Sequence, residues 1–466
     1  MSELRRHLST RHLSMIALGG TLGTGIFLTS GSALYIAGPM GAILAYIVMG
    51  IMVYLLMNSL GEMSAYKPVS GSFCEYSSEY VSKSFGFMLG YNYWFSWAIT
   101  IAVELIAAAL VMGYWFPNVP TVEWCILFFI GILLLNLLPV KSYGESQYWL
   151  SVVKVSAILV FIVVGVLVIF GFNTQHQAMH FHNWNQGHFH NGLSGLFQVF
   201  LLSGFAFQGT ELIGVAAGEA KDPQKSIPHA VKQIFWRILL FYVVIMLIIS
   251  LIIPYTDPRL LNPDGTVALS PFTIIFSMTG FHFITSIMNF VILIALLSAC
   301  NSDMYSATRI LWNLSVRGSA SKIFSKVNRF GIPIYALIAT VSFGLLAFLC
   351  DLFGSTNLFL ILVNISSLSG FVAWFGIAVS HIGFRRHYLA AGKQLKDLPF
   401  QSRFYPWGPL IAIVLSLIVI FGQWYTLVGQ NQLSWSSLIG MYIGLPILFL
   451  LWAGNAWYRN RARSVA

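Results

Sequence analysis

Gly19-Gly20-Thr21-Leu22-Gly23-Thr24-Gly25-Ile26-Phe27 sets four glycines within seven residues in the middle of an apolar run that extends over 13–38. Each glycine weakens a helix interior by up to about 1 kcal/mol relative to alanine and leaves backbone bare. In hydrocarbon an unsatisfied N–H or C=O is too costly to face lipid, so a break at this depth survives only inside protein or against a cavity. The sixth apolar run is interrupted in the same way at its centre, by Ser203-Gly204-Phe205-Ala206-Phe207-Gln208-Gly209-Thr210-Glu211. Taken singly, either break is also explained by small residues that let helices pack closely. Their matching positions, first and sixth, favour two five-helix inverted repeats with a binding site between the breaks near the midplane.

The rest of the chain agrees with a bilayer setting. Of 466 residues, 57% are hydrophobic, 15% aromatic and only 9% charged, with a mean hydropathy of +0.77. A soluble domain carries about 25% charged residues, so the composition implies an all-α polytopic membrane protein. Runs long enough to cross the hydrocarbon core stand near 13–38, 41–65, 84–115, 121–139, 148–171, 193–219, 233–254, 276–307, 332–350, 354–382, 407–427 and 436–457, twelve in all. The expected organisation is one transmembrane unit over 1–466, with a first repeat over 13–171, a second over 193–382, and two further helices over 407–457. No removable signal peptide is expected, because Ser2-Glu3-Leu4-Arg5-Arg6 runs straight into the first span.

The balance of 25 Lys+Arg over 15 Asp+Glu, a net +10, is read from its location rather than as a sign of a nucleic-acid partner. With the N-terminus in the cytoplasm, 23 of the 25 cations fall inside, Arg237 and Arg385 among them; Lys154 lies within a span and Arg259 in an outer loop. The positive-inside rule therefore places both termini in the cytoplasm. The largest outer loop, 172–192, lacks Lys, Arg, Asp and Glu but holds His176, His180, His182, His188 and His190. Such a cluster binds a metal, senses acid pH, or is simply a solvated polar loop. Cys74, Cys125, Cys300 and Cys350 stand far apart, without metal-ligand or disulfide spacing.

Ionisable residues at membrane depth are functional candidates by default, and Glu104, Lys154, Glu211, Glu219 and Asp303 all interrupt apolar sequence. Tyr93, Trp97 and Glu104 recur on one helical stripe, a wall suited to a methylene stem ending in an ammonium; a packing stripe with one paired Glu is the alternative. Phe205 and Phe207 flank the sixth-span break as candidates for an aromatic gate or for plain core. Burial would make Lys154 a group that gains and loses a proton during transport; a static ion pair or snorkelling would account for it equally. Free N–H groups at Gly23, Thr24 and Gly25 suit an anion, and carbonyls near Phe205 to Gln208 suit a cation, so a zwitterion fits both. Thr210 and Glu211 stand at the second break, whereas Glu219 lies near the cytoplasm within reach of Lys221 or Lys225. No metal cluster, nucleophile elbow or phosphate-cradling loop points to an enzyme, and isolated charges at broken helices do not make the continuous polar pore of a channel.

Arg11-His12-Leu13 through Gly25-Ile26-Phe27, Pro68-Val69-Ser70-Gly71-Ser72-Phe73, Phe207-Gln208-Gly209-Thr210-Glu211-Leu212-Ile213-Gly214, Ala217-Gly218-Glu219 and Ile252-Ile253-Pro254-Tyr255-Thr256-Asp257-Pro258 resemble the amino acid-polyamine-organocation superfamily, and within it the bacterial lysine-specific permeases. The resemblance covers nearly the whole chain. It implies uptake of L-lysine in symport with a proton, with no cofactor beyond the coupling ion. It also implies that Gly23, Thr24 and Gly25 hold the substrate carboxylate and that the stretch from Phe205 to Glu211 holds its amino group. Lys154 matches the lysine that takes the place of a sodium ion in proton-coupled members. Carboxylates that some lysine permeases carry before the last span are missing from Asn431-Gln432-Leu433-Ser434-Trp435, so no role of theirs carries over. Arginine, histidine or a neutral amino acid is the alternative substrate, and a membrane-bound regulatory partner would accompany a sensor role.

Overall fold

All regular structure among the described residues is helical. The computed structural model describes residues 22–69, 71–137, 143–172, 181–184, 187–217, 222–260, 270–329, 331–429 and 441–465. In chain order the helices are α1 (Thr24–Phe27), α2 (Thr29–Tyr66), α3 (Ser72–Tyr80), α4 (Lys83–Met112), α5 (Thr121–Asn136), α6 (Tyr143–Ile169), α7 (Gly192–Phe207) and α8 (Leu212–Ala216). They continue as α9 (Pro223–Ile252), α10 (Pro271–Ser277), α11 (His282–Val316), α12 (Ile334–Phe353), α13 (Ser355–Ala390), α14 (Trp407–Gly429) and α15 (Gly444–Val465). Among the described residues nine helical segments are long and apolar enough to cross a membrane, and α5 is a shorter apolar helix.

The first predicted span is broken as the glycines suggest. Gly23 is non-helical, α1 lasts four residues, and Leu28 departs from helical geometry before α2 begins. The first and second predicted spans then meet inside α2, where Gly38 adopts φ 73° ahead of Pro39. A side chain at Gly38 is excluded twice over: the backbone is left-handed, and a Cβ would run into the carbonyl oxygen of Gly187.

The sixth span breaks later than its glycine content suggests. Residues 203 to 207 remain helical in α7, and the interruption falls at Gln208 to Glu211, where Gly209 takes φ 86°. The seventh span starts at Pro223 rather than 233, because Ser226, Ile227, Ala230, Val231 and Ile234 bury one face of a helix whose other face carries charge. The eighth starts at His282 rather than 276 and runs on to Val316. Ser270 caps the separate α10, its hydroxyl accepting from Phe272 N–H, and Gly280 (φ 80°) turns the chain before α11. The last helix runs on to Val465, past the expected end at 457, and the expected start at 436 lies outside the described residues.

Helix α4 is the central post: 89% of its most apolar window is buried, against 33% for α6. It packs on α11 and α13, while α2 lies along α7. On α6, Leu159, Val160, Val163 and Leu167 stay exposed, a face that only lipid can cover. Two of the cations assigned above to the cytoplasmic side are buried within the protein. Arg237 is 0% and Arg385 2% exposed, Arg385 because it pairs with Glu62, a carboxylate within the second span that the apolar reading of 41–65 passes over.

Candidate functional site

The first break lies against the last turn of α7, just ahead of the second break. A Cβ on Gly25 would collide with the backbone of Ala206, so only glycine lets the first break lie directly on α7. Beside this contact is a cavity of about 30 Å³, room for roughly two water molecules. Gly23, Gly25, Phe205 and Gln208 line it from the broken helices, Trp97, Thr100 and Glu104 from α4, and Ala299 and Asp303 from α11.

Polar contacts fix the walls. Thr24 donates its N–H to Glu104 Oε1 at 3.3 Å and its hydroxyl to Oε2 at 2.7 Å. The Gln208 amide donates to the Ser366 carbonyl at 2.9 Å, and the Ser366 hydroxyl shares a 2.7 Å hydrogen bond with Thr100 Oγ1. Ser96 also donates to Ser366 O, at 3.2 Å. The second break is thus tied to α4 and α13 by side chains.

The candidate residues separate into groups. Gly23, Gly25, Trp97, Glu104 and Phe205 meet at the cavity, with Thr24 bonded to Glu104. Glu211 folds back on its own break instead: both carboxylate oxygens accept from Gly209 N–H at 3.1 Å, Trp374 Nε1 donates at 3.3 Å and Tyr93 Oη at 3.3 Å. Thr210 caps the Phe207 carbonyl at 2.9 Å, and Gln208 N–H donates to Phe205 O at 3.2 Å, so both of those carbonyls are engaged. Phe207 lies away from the cavity, its ring 4.2 Å from Tyr242 and 6.0 Å from Tyr46 between centroids; it packs a core rather than facing a ligand. Lys154 is 1% exposed, and its Nζ has no hydrogen-bond partner among the described residues. Glu219 lies outside the described residues, as do His176 and His180.

Tyr93 faces a second, larger cavity of about 310 Å³. Phe73, Cys74 and Glu75 from α3 line it with Arg317 and Arg459, and Arg317 pairs with Glu75. The Tyr93 ring packs edge-on against Phe73 at 4.8 Å and Trp97 at 5.8 Å. Tyr93 and Trp97 therefore form an aromatic partition, with the vestibule on one side and the small cavity on the other. Thr100, the side chain of Gln208, Ala299 and the pairing of Glu62 with Arg385 went unassigned in the sequence. Asp303 and Gln208 carried signals, a charge at depth and a polar side chain at the break, whereas Ala299 carried none.

Among the described residues no three His, Cys, Asp or Glu side chains gather as metal ligands. All four cysteines are free.

The amino acid permease family matches residues 12–466. The lysine-specific permease LysP of Escherichia coli (strain K12) is 50% identical over 454 residues, 97% of this chain and 93% of that one. The lysine-specific permease LysP of Lactococcus lactis is 46% identical, covering 100% and 92%, and the histidine permease HisP of the same organism is 46% identical, covering 98% and 96%. In fold the chain resembles the solved manganese transporter of Eremococcus coleocola, with a TM-score of 0.57 at 14% identity over 100% of this chain and 99% of that one. With a family match over nearly its whole length, close permease relatives and helices that span a bilayer many times, the chain belongs to the amino acid permease family of the amino acid-polyamine-organocation superfamily, multi-pass membrane proteins that carry amino acids and are not enzymes.

Proposed function

We propose that the protein takes up L-lysine together with a proton across the cytoplasmic membrane by alternating access. The observation that carries this reading is the meeting of two broken helices at Gly25 and Ala206, with Lys154 buried and within electrostatic reach of Glu104, in a chain half identical to a lysine-specific permease. The substrate's carboxylate is received at Gly23, Thr24 and Gly25, and its amino group by the stretch from Phe205 to Glu211. Trp97 and Phe205 wall the side chain. Lys154 exchanges the coupled proton, with Glu219 as a second candidate on the inner side. Twelve spans, a five-plus-five inverted repeat with helices 1 and 6 broken at the midplane, and cytoplasmic termini complete the architecture; rocking of one bundle against the other opens the site alternately to each side.

Coupling is reciprocal, so protonation raises lysine affinity by the factor by which lysine raises proton affinity. In proteoliposomes, labelled lysine should accumulate under an imposed pH gradient and not under a sodium gradient, and Lys154→Ala should abolish that accumulation. Full accumulation by the variant would remove Lys154 from the proton path. The histidine permease at 46% identity favours one second reading, histidine as the substrate, which competition by unlabelled histidine and arginine against labelled lysine decides. A sensor role with a membrane-bound partner predicts that a deletion strain loses lysine-dependent gene induction.

A further inference from the structure

The carboxylate that Thr24 holds in this structure belongs to the protein. Glu104 takes both the Thr24 N–H and its hydroxyl, at 3.3 and 2.7 Å, and these are donors of the first break. Gly23 closes on the same group: a Cβ there would stand 2.8 Å from Glu104 Oε1. Glu104 is 4% exposed, so its two hydrogen bonds with Thr24 are shielded from competition by water. A substrate carboxylate and the Glu104 carboxylate cannot occupy these donors together.

Two further ions stand beside this contact with open valences. Asp303 lines the same cavity, is 4% exposed, and its Oδ2 has no hydrogen-bond partner among the described residues. Lys154 Nζ is likewise unpartnered, and it lies within electrostatic reach of Glu104 on α4, Asp303 on α11 and Arg237 on α9. The remaining helix packed on α6, α10, carries no charged residue. A buried amine without a hydrogen-bond partner is costly, and a carboxyl brought into direct contact with it would relieve that cost.

We propose that Glu104 is an internal competitor for the substrate: its carboxylate holds Thr24 in the empty transporter, and the substrate's carboxylate displaces it toward Lys154. The inference rests on the reading that the first break receives the substrate carboxylate. One carboxylate replaces another at Thr24, so the charge at the break is unchanged. The displaced Glu104 approaches Lys154 and favours the protonated amine, which makes substrate and proton binding mutually reinforcing. Glu104 then sets affinity by what it gives up rather than by what it touches.

The test is binding of labelled L-lysine to the full-length protein in nanodiscs, with lysinamide, which lacks a carboxylate, as the comparison ligand. Removing the competitor in Glu104→Ala should tighten lysine binding about tenfold, equivalent to about 1.4 kcal/mol. Glu104→Gln, which keeps the volume and loses the charge, should tighten it by less, and both variants should lose accumulation driven by a pH gradient. Unchanged or weaker lysine binding in Glu104→Gln, with thermal unfolding like that of the wild type, overturns the proposal. A different result marks failure of the underlying reading: lysinamide competing as well as lysine in the wild type would show that Thr24 does not receive a carboxylate, whatever the Glu104 variants do.

Discussion

Arg385 grips Glu62 with two nitrogens, Nε to Oε1 at 2.5 Å and Nη2 to Oε2 at 2.7 Å, in a pair almost wholly removed from solvent. Ser402 N–H donates to the same carboxylate at 2.6 Å, His381 Nε2 lies 3.2 Å from it, and the guanidinium sits 4.8 Å from the centre of the Tyr405 ring. The pair fastens α2 to α13 and to the chain leading into α14. Removing one partner leaves a buried charge uncompensated, which costs about 3–5 kcal/mol. Arg385→Met should therefore lower the unfolding temperature in detergent sharply, and adding Glu62→Gln should recover part of the loss. A single variant that melts with the wild type would show that the pair contributes nothing to stability.

Gln208 reaches Ser366 only because residue 370 is glycine. A Cβ on Gly370 would land on the Gln208 amide nitrogen, and a flexible amide yields before a helix does. Gly370→Ala should therefore expel Gln208 from its two hydrogen bonds with Ser366, its amide donating to Ser366 O and its Oε1 accepting from Ser366 Oγ, each worth about 1 kcal/mol, and slow initial uptake by about 30-fold. The two sites share one interaction, so Gln208→Ala should add little in the Gly370→Ala background. Fully additive losses in that double-mutant cycle would separate the two residues.

These contacts mark the boundary of what the sequence discloses. The breaks in the first and sixth spans were legible because glycine and polar residues in an apolar run conflict with lipid, a conflict visible residue by residue. The break occupies only the second half of the 203–211 stretch because Gly204 serves close packing, its missing Cβ filled by the Phe371 ring, and not chain reversal. Glu104 was legible as an ion at depth, yet its partner Thr24 is eighty residues away and no local pattern encodes that pairing. Glu62 and Arg385 were missed for a related reason: a paired charge is tolerated inside an apolar run, and Arg385, lying next to Arg386, looks like an ordinary cytoplasmic cation.

On the segment after α9, Asp257 accepts from Arg259 twice, Oδ1 from N–H at 2.9 Å and from Nε at 3.0 Å, and pairs with Nη2 at 2.7 Å. Burial pushes the Asp257 carboxyl up, but the hydrogen bonds and charge of Arg259 outweigh it and hold the group below the ordinary aspartate value. A depressed carboxyl contributes stability that is present above its unfolded pKa of about 3.9 and is lost as pH falls through the folded value. The difference in unfolding temperature between wild type and Asp257→Asn should hold steady from neutral pH to about pH 5 and shrink below about pH 4. A difference that vanishes already near neutral pH would assign the effect to another group.

Cys74 offers a reporter for the vestibule. It lines the larger cavity and is partly accessible, whereas Cys125, Cys300 and Cys350 are at most 1% exposed. Burial pushes its thiol up to about 12, against a smaller opposing pull from the Arg317 charge. The thiolate is the reactive form, so alkylation by a maleimide should be slow at neutral pH and quicken about tenfold per pH unit without levelling off by pH 9. Labelling that reaches a plateau near pH 8.5 would mean an ordinary thiol. Because Phe73, the neighbour of Cys74, packs on Tyr93 in the partition, saturating lysine should change the labelling rate by moving that wall. Cys74→Ser should abolish labelling altogether; labelling that survives this substitution would show that the interior cysteines open to the reagent, and the vestibule reading of the rate would fall.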